Sequence, residues 1–415
     1  MASTPQPPIR KRSRRRWRWL LSGALALLLV LAAVAVWRAQ AEAAPPLTIH
    51  RTLASYVRLP GKAPAIAWPR EGQAAVEVEG IGSFGAHGGE RPVPIASVAK
   101  VMTAYLALRQ RPLRPGQEGF RIRISRADAA EQDMRVALDQ STVEVERGEV
   151  LSERQALQAL MLPSANNIAA LLARRLAGSE AAFVARMNAT ARQLGMHSTH
   201  YTDPSGYDPG TVSTAADQLK LARMVMADPT FARIVSLPSA RLPVAGVVEN
   251  TNHLVETDDY VGVKTGSDEA AGGCLVFARR VEVGGRSLIV LGTVLGQRQG
   301  EYVDAALTSA RRLVDSVAGS LKLRTALPAG AAVLSARNAD GDHVTVATRR
   351  PLREVGWPGM RLPVRVQMRP APDELSAGEQ VGTVTVRGPA ARRTVVVASA
   401  SLGGPSLAWR LKHLF

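Results

Sequence analysis

The sequence predicts an α/β fold in which an antiparallel sheet is flanked by helices. One membrane-spanning helix precedes this domain and a small β-rich domain follows it. Three observations favour this fold class: an uncharged apolar run at 19–37, strand-like patterns at both ends of 63–319 with helical spacing between them, and short valine-rich runs after about residue 320. With 415 residues, the chain is long enough for two folded domains.

The N-terminal segment combines basic residues with the apolar run. The first 41 residues contain eight basic side chains, among them Arg10, Lys11 and Arg12, and no acidic one. As a helix, 19–37 is about 28 Å long, close to the thickness of a bilayer's hydrocarbon core. Since basic residues favour the cytoplasmic side, we expect a cytoplasmic segment at 1–18 and a transmembrane signal-anchor at 19–37. The protein is then a single-pass protein of the cell membrane, with the folded domains that follow the anchor outside the cytoplasm.

A secretory signal peptide is an alternative for the same segment. Ala39 and Ala41 flank Gln40 in the small-x-small pattern that a signal peptidase cleaves. Cleavage there would give a secreted protein. Both alternatives export the rest of the chain.

Composition excludes several other classes. The net charge of +17 is unevenly distributed, with eight positive charges in the first 41 residues, and membrane topology explains this asymmetry better than binding to nucleic acid does. A single cysteine, Cys274, excludes an internal disulfide, and its apolar neighbours indicate a packed side chain. The seven histidines are scattered and form no cluster at ligand spacing, so we expect neither a metal nor another cofactor.

The elements of the first domain follow a linker. Proline and alanine mark 38–62 as a tether between membrane and domain. Alternation at 75–79 predicts a half-buried strand, and the glycines at 80–89 predict a turn before a helix that begins near Val98.

The remaining elements continue in chain order. Helical patterns at 153–162 and 167–176 are separated by a loop, and a third helical pattern runs from Thr214 to about Met226. The other predicted elements are strands at 260–263, 274–279 and 287–295, an amphipathic helix at 303–317, a β-rich accessory domain at 320–405 and a C-terminal tail at 406–415.

Ser97 and Lys100 form the first candidate catalytic pair. Side chains three residues apart at the start of a helix are neighbours. A serine needs a base to become a nucleophile, and a lysine whose pKa is lowered by burial or by a second cation can be that base. A lone Ser-x-x-Lys motif is weak evidence, because it arises by chance in most chains of this length.

Two further motifs strengthen the assignment. They are a Ser-x-Asn motif in the loop after 153–162 and a Lys-Thr-Gly motif at a strand end, with the residues Ser164, Asn166, Lys264, Thr265 and Gly266. All three motifs belong to one known type of serine active site and occur here in its order, with separations of 67 and 100 residues. Only seven of the 52 basic residues are lysine, yet both motif positions that require an amine have one.

The sequence resembles the D-alanyl-D-alanine carboxypeptidase family of low-molecular-weight penicillin-binding proteins over roughly residues 70–318. Besides the three motifs, Pro-Ile-Ala-Ser at 94–97, Thr-Asp-Pro-Ser-Gly at 202–206 and Asn-Thr-Asn-His-Leu at 250–254 look like signature stretches of that family. The resemblance implies a penicillin-binding transpeptidase/β-lactamase-like fold for the catalytic domain, 63–319. The β-rich domain is similar to the accessory domain that many members carry.

The resemblance also implies an activity: a serine-type carboxypeptidase that removes the terminal D-alanine from peptidoglycan pentapeptide stems. Ser97 would attack the carbonyl between the two terminal D-alanines while Lys100 takes its proton, and Ser164 and Lys264 would protonate the departing amine. The implied catalytic residues are Ser97, Lys100 and Ser164, and the implied substrate-binding residues are Asn166, Lys264, Thr265, Gly266 and Ser267. Backbone N–H groups of Ser97 and Ser267 would form the oxyanion hole. The implied partners are the stem peptide and β-lactam antibiotics as covalent inhibitors.

The chain departs from the family pattern after the Lys-Thr-Gly motif. Asp268 follows Ser267, where family members often have a threonine, and a carboxylate there would repel an anionic substrate. Another cation would then be needed to bind the substrate carboxylate, and Arg279 or Arg280 is a candidate.

Two other functions are compatible with the motifs. A class A β-lactamase carries a Glu-x-x-Leu-Asn loop between the second and third motifs, and none of Glu180, Glu249 and Glu256 is followed by that pattern. A non-catalytic, penicillin-binding wall scaffold is opposed by the complete set of motif residues. The sequence leaves open whether water or an amine releases the acyl group, that is, whether hydrolysis or transpeptidation dominates.

Overall fold

A computed structural model describes residues 13–41, 44–257, 259–388 and 390–413. The chain divides into two compact units. The larger unit consists of Pro60–Arg324 and Val355–Met360, and the smaller unit consists of Met1–Leu59, Thr325–Glu354 and Arg361–Phe415.

The secondary-structure elements are numbered in chain order. The helices are α1 Ser13–Ala41, α2 Lys100–Gln110, α3 Arg126–Ala137, α4 Glu153–Met161, α5 Asn166–Ala177, α6 Glu180–Gln193, α7 Ala215–Met226, α8 Pro229–Val235, α9 Tyr302–Ser320 and α10 Leu407–Lys412, with 3-10 turns at Ala96–Ala99 and His253–Glu256. The strands are β1 Thr48–Arg51, β2 Tyr56–Arg58, β3 Gln73–Val78, β4 Gly82–His87, β5 Val93–Pro94, β6 Arg121–Arg123, β7 Val150–Ser152, β8 Val212–Ser213, β9 Ser239–Leu242, β10 Gly246–Glu249, β11 Tyr260–Asp268, β12 Gly272–Val283, β13 Arg286–Gln297, β14 Lys322–Leu327, β15 Ala332–Arg337, β16 His343–Thr348, β17 Leu352–Gly356, β18 Arg361–Met368, β19 Gln380–Val386 and β20 Arg392–Ala398.

The larger unit is built on a five-stranded antiparallel sheet with the order β11-β12-β13-β3-β4. Helix α9 packs on β12 and β13, and α7 packs on β13 and β3. The predicted fold class, an antiparallel sheet flanked by helices, is confirmed.

Strand β3 differs from its prediction in burial. All six of its residues are buried, because the sheet is covered on both faces. Ala74, Val76 and Val78 pack with the apolar face of α9, whereas Ala75 belongs to the core formed with the other helices. The half-buried prediction was wrong because Glu77 looked solvated in the alternating pattern; it is buried instead and paired with Arg223.

The helices that position the motifs begin at side-chain caps. The Ser152 hydroxyl accepts a hydrogen bond from the Gln155 amide, and the Gln155 Oε1 accepts one from the Ser152 amide, so α4 begins with a capping box. Thr214 caps α7 in a similar way. The predicted helices at 153–162, 167–176 and 214–226 are confirmed as α4, α5 and α7.

Several elements escaped prediction. The glycine-rich stretch predicted to be a turn contains strand β4, an exposed hairpin partner of β3. Helices α3 and α6 also went unpredicted. Helix α3 has no buried residue, so it lacks the apolar stripe that periodicity detects.

The smaller unit contains a seven-stranded sheet with the order β1-β15-β16-β20-β19-β18-β2. Its two outer strands come from the predicted linker, 38–62: β1 pairs with β15 and β2 pairs with β18. The prediction of a plain tether is therefore wrong for these residues. Short strands of three or four residues carry little periodicity of their own, and their partners lie far away in the sequence.

Helix α1 contains one apolar stretch, Trp17–Ala41, that is long enough to cross a membrane, by length and composition. The predicted transmembrane segment 19–37 lies within it. The basic residues Arg10, Lys11 and Arg12 of the predicted cytoplasmic segment lie outside the described residues. In the predicted tail, 406–415, the described part forms α10, and the last two residues lie outside the described range.

Candidate active site

Ser97 and Lys100 are in direct contact. Ser97 lies in the 3-10 turn Ala96–Ala99, and Lys100 is the first residue of α2, which follows that turn directly. The Lys100 Nζ donates a hydrogen bond of 2.7 Å to the Ser97 Oγ and one of 3.0 Å to the Ser205 carbonyl oxygen. Lys100 is 0% exposed, whereas Ser97 is partly exposed. The amine is therefore buried, and the serine can be reached from solvent.

The environment of Lys100 favours its neutral form. Burial lowers the pKa of Lys100 well below its usual value, and the positive charges of Lys264 and Arg135 lower it further, against an opposing effect of Asp203. A neutral amine at hydrogen-bond distance from a serine hydroxyl can accept its proton.

The turn at 202–207 supplies the carbonyl that holds Lys100. The carboxylate oxygens of Asp203 accept four hydrogen bonds from this turn and a fifth from outside it. The donors in the turn are the amides of Ser205, Gly206 and Tyr207 and the Ser205 hydroxyl, and the fifth donor is the Thr211 hydroxyl. Asp203 therefore fixes the carbonyl of Ser205 against the lysine. The sequence singled out this stretch as a family signature but assigned it no role.

A close approach joins this turn to the nucleophile. Ala96, immediately before Ser97, has a φ of 45°, and Gly206 has a φ of 80°. A Cβ atom on Gly206 would overlap the Ala96 carbonyl oxygen. A glycine is therefore required at position 206 for its backbone angle and for space.

The Lys-Thr-Gly motif lies in strand β11 beside the nucleophile. A Cβ atom on Gly266 would be 2.9 Å from the backbone nitrogens of Ser97 and Val98, so only a glycine permits this approach. Lys264 is 1% exposed, and burial lowers its pKa to about 7. Its Nζ lies 3.4 Å from the Thr251 hydroxyl and 3.5 Å from that of Thr265.

Thr251 connects the second and third motifs. Its hydroxyl lies 2.6 Å from the Thr265 Oγ1, and its amide donates a hydrogen bond of 3.1 Å to the Leu162 carbonyl. Leu162 ends α4, directly before the loop of Ser164. The stretch that contains Thr251 resembles a family signature, but no sequence pattern indicates this contact.

Ser164 and Asn166 present unused polar atoms. Ser164 has a φ of 69°, a strained conformation for a residue other than glycine. Its Oγ and the Asn166 Oδ1 are buried and have no hydrogen-bond partner among the described residues. Buried polar atoms without a partner are costly, so both are available to a ligand.

Gln140 fixes the orientation of Asn166. The Asn166 Nδ2 donates a hydrogen bond of 3.0 Å to the Gln140 Oε1, and the same oxygen accepts one of 3.0 Å from Arg135. Arg135 is held in turn by an ion pair with Glu131. Neither Gln140 nor Arg135 was predicted, because no motif marks them and helix α3 was missed.

The end of β11 explains the departure at Asp268. Ser267 is exposed, and the Asp268 Oδ1 accepts a hydrogen bond of 2.6 Å from the Ala271 amide in the hairpin turn. The carboxylate therefore stabilises the turn between β11 and β12.

The candidate cations Arg279 and Arg280 lie elsewhere. Arg279 is opposite Tyr260 at the start of β11 and forms an ion pair with Asp315 of α9. Six residues of extended strand, about 20 Å, separate Tyr260 from Gly266. The suggestion that one of these arginines assists carboxylate binding was wrong, because strand register places both at the far end of the sheet.

Comparison with known proteins identifies the family. The model of the D-alanyl-D-alanine carboxypeptidase family, peptidase S11, matches residues 86–295, just over half of the chain. D-alanyl-D-alanine carboxypeptidase DacB2 of Mycobacterium tuberculosis is 36% identical over 204 residues, which are 48% of this chain and 65% of that protein. The chain thus spans slightly less than two thirds of that relative.

Two further comparisons agree. The D-alanyl-D-alanine endopeptidase of Pseudomonas aeruginosa is 32% identical over 247 residues, which are 58% of this chain and 73% of that protein. The crystal structure of the Streptomyces K15 DD-transpeptidase superimposes with a TM-score of 0.53 at 28% identity and covers 62% of this chain and 98% of that one. On the evidence of its site geometry, its fold and these matches, the chain belongs to the D-alanyl-D-alanine carboxypeptidase family of serine peptidases.

Proposed function

We propose that this protein is a serine-type D-Ala-D-Ala carboxypeptidase that removes the terminal D-alanine from peptidoglycan pentapeptide stems. The observation that carries the proposal is the 2.7 Å hydrogen bond between a fully buried Lys100 amine and the Ser97 hydroxyl, with Lys264 nearby. Family membership supports the choice of substrate.

Acylation begins with Ser97. Its Oγ attacks the carbonyl carbon of the penultimate D-alanine while its proton passes to Lys100, and the backbone N–H groups of Ser97 and Ser267 bind the oxyanion. The C–N bond then breaks, and the hydroxyl of Ser164, supported by Lys264, relays the proton from Lys100 to the departing amine, so that Lys100 is neutral again.

Deacylation uses the same amine. Water loses a proton to Lys100 and attacks the ester carbonyl, and the proton returns to the Ser97 Oγ as the C–O bond breaks. Asp203 is the carboxylate that raises the pKa of Lys100, and it already accepts five hydrogen bonds from its own turn and from Thr211. No role as a fast deacylating base is open to it, so β-lactams are inhibitors that form long-lived acyl-enzymes.

The remaining motif residues bind the substrate. Asn166 uses its free amide oxygen for the N–H of the substrate backbone. Lys264 and the Thr265 hydroxyl receive the terminal carboxylate, which restores the protonated form of Lys264 because an anion raises the pKa of a nearby amine. Gly266 admits the substrate backbone close to the nucleophile.

Helix α1 anchors the protein in the cell membrane. Its apolar stretch suits a single span, and the basic residues of 1–18 favour a cytoplasmic N-terminus. The catalytic domain, 63–319, and the β-rich domain, 320–405, then lie outside the cytoplasm, where peptidoglycan is found.

Two substrates distinguish the carboxypeptidase and endopeptidase activities that the names of the relatives give. The full chain is incubated in detergent with a D-Ala-D-Ala pentapeptide and, separately, with a cross-linked stem dimer, and the products are weighed by mass spectrometry. Loss of one alanine from the pentapeptide, absent in Ser97→Ala, is the expected result. Cleavage of the dimer alone would replace the carboxypeptidase by an endopeptidase. If fluorescent penicillin fails to label Ser97, a non-catalytic scaffold is indicated.

A further inference from the structure

One face of the sheet in the smaller unit carries a cluster of arginines. Strands β20, β19, β18 and β2 are neighbours and contain no aspartate or glutamate. Burial alternates along β18: Arg361 and Arg365 are exposed, whereas Leu362 and Val364 are buried. The two arginines therefore point to the side of the sheet away from its core.

Strand register brings further arginines to the same side. Arg361 is directly opposite Arg58 of β2, and Arg365 is opposite Thr385, which is opposite Arg393 of β20. Arg387 follows β19, and its amide donates to the Pro363 carbonyl, which places it beside β18 between Arg361 and Arg365. The cluster, called the arginine face below, consists of Arg58, Arg361, Arg365, Arg387 and Arg393.

The charges of the arginine face are not neutralised within the chain. In the part of the chain that the structure describes, no carboxylate forms an ion pair with any of its five guanidinium groups. Arginines of the larger unit do form such pairs, as Arg135, Arg174 and Arg223 show. Like charges directly opposite each other, as at Arg58 and Arg361, destabilise a sheet. A bound anionic partner would remove that repulsion.

The shape of the face indicates the kind of anion. Guanidinium groups bind phosphate oxygens through paired hydrogen bonds. Neighbouring strands are about 4.8 Å apart, so the five groups spread over four strands in two dimensions rather than along one groove. The Arg361 guanidinium lies over the Tyr56 ring at 4.8 Å, which leaves its edge free to bind an anion. This arrangement fits a planar array of phosphate groups.

The chain itself keeps the sheet close to such an array. Helix α1 ends at Ala41, and β1 of the same sheet begins at Thr48. Seven residues of fully extended chain reach at most about 25 Å. Strand β1 therefore begins within that distance of the end of the proposed membrane helix, and the strands of the arginine face lie three to six strand positions further along the same sheet.

We propose that the arginine face binds anionic phospholipid headgroups of the membrane that α1 crosses. The proposal rests on the membrane anchoring put forward above and is independent of the peptidase chemistry. Docking of the face would restrict the smaller unit at the membrane surface, in addition to its covalent attachment.

The test uses the full chain in lipid nanodiscs. A Gln367→Cys variant carries a fluorophore on the exposed side of β18, two residues from Arg365. The native Cys274 is buried and burial raises its pKa to about 12, so it does not compete for the label. Quenching by spin-labelled headgroups is compared between discs of phosphatidylcholine alone and discs that also contain phosphatidylglycerol. We expect stronger quenching with the anionic lipid, and its loss at about 0.5 M salt, where charge screening is severe.

Two double variants, each of which removes two positive charges, are compared for docking to the anionic discs. Arg361→Gln/Arg365→Gln should lower the ratio of docked to undocked protein about 25-fold, from roughly fivefold per arginine. Arg350→Gln/Arg353→Gln removes two exposed arginines that lie outside the four strands, and it should leave the ratio unchanged. Equal effects of the two variants would overturn the proposal.

Other outcomes point elsewhere. If anionic lipid has no effect while inorganic polyphosphate raises the anisotropy of the label in an Arg361- and Arg365-dependent manner, the face binds a soluble polyanion and the membrane proposal is overturned. Failure of the chain to insert into the discs would contradict the anchoring and this proposal together. Fluorescent penicillin, applied to the same discs, reports separately on Ser97 and so on the proposed peptidase.

Discussion

Lys100 combines complete burial with two hydrogen bonds that a neutral amine can keep. It donates to the Ser205 carbonyl and to the Ser97 hydroxyl, and its lone pair becomes available when the hydroxyl turns to donate instead. Burial and the charges of Lys264 and Arg135 lower its pKa, and these effects outweigh the attraction of Asp203. The site thereby favours the neutral amine of a residue that is protonated in water at neutral pH, as the proposed role of a base requires.

The acylation rate should follow the protonation state of Lys100. The neutral form of Lys100 is active, so the rate rises about tenfold per pH unit through its lowered pKa, and it declines at higher pH as Lys264, whose pKa is about 7, loses the charge that binds the penicillin carboxylate. Lys100→Ala should lose about three orders of magnitude, typical of a missing general base. Stopped-flow acylation by fluorescent penicillin between pH 5 and 10 measures both. A folded Lys100→Ala protein with an unchanged rate would exclude Lys100 as the base.

Gln140 is predicted to act by positioning Asn166. Its Oε1 holds the Asn166 amide nitrogen, which leaves the amide oxygen for the substrate. Gln140→Ala should reduce acylation by a penicillin with an acylamino side chain about tenfold, as expected for a weakened hydrogen bond. Acylation by 6-aminopenicillanic acid, which lacks that acyl group, should change little.

A matched variant distinguishes positioning from loss of structure. Gln132 lies on helix α3, which ends shortly before Gln140, and its oxygen accepts a hydrogen bond of 3.4 Å from the Val145 amide. Gln132→Ala removes the same chemical group and should leave acylation by both penicillins unchanged. Equal losses for the two penicillins in Gln140→Ala would show that Gln140 supports the fold of the cleft rather than Asn166.

At the scale of elements, the site depends on three backbones that approach each other closely. The turn that contains Gly206 contacts Ala96, and strand β11 contacts the amides of Ser97 and Val98 at Gly266. Side chains at either glycine would separate the elements that carry the motifs. The nucleophile is therefore positioned by backbone packing as well as by its own helix.

Gly206→Ala is predicted to disrupt this packing. The positive φ costs about 1–2 kcal/mol for a residue with a Cβ, and the overlap with the Ala96 carbonyl adds about 1–3 kcal/mol of overpacking. Gly246→Ala is the control, because Gly246 has a φ of 70° and open space around its Cα. Chemical denaturation and penicillin labelling of both variants separate the two contributions. Equal stability losses would show that the contact with Ala96 is unimportant.

At the scale of the whole molecule, one chain joins a candidate membrane span, a peptidase unit and a β-rich unit. The most apolar 18-residue stretch within Trp17–Ala41 has a mean hydropathy of 2.6, and none of it is buried inside the protein. Exposure of so many apolar side chains is unfavourable in water. A lipid environment removes that cost, which is consistent with the anchoring proposed above.

Membrane extraction tests the anchoring. Expressed with its native N-terminus, the protein should remain in the membrane pellet after alkaline carbonate, because an inserted helix resists conditions that release peripheral proteins. Mass spectrometry should find the intact N-terminal segment. Release into the supernatant with a new N-terminus at residue 42 would show instead that the segment is a cleaved signal peptide.

Much of the fold could be predicted from local patterns. Periodicity located α4, α5, α7, α9 and the central strands, since each is long enough to show its own repeat. It missed α3, which has no buried face, and β1 and β2, which are three or four residues long and pair with strands some three hundred residues away. The position of Arg279 relative to the Lys-Thr-Gly motif depends on the register between β11 and β12, which the sequence does not reveal.

The sequence by itself determined the chemistry of the site, because the three motifs require particular functional groups in a particular order. Only the tertiary structure decided which groups surround them: the Asp203 turn behind Lys100, Thr251 between two motifs, and Gln140 on Asn166. The physical reason is that a hydroxyl or an amine is a property of one residue. Its pKa and its orientation depend on burial and on contacts between residues that the chain brings together only when it folds.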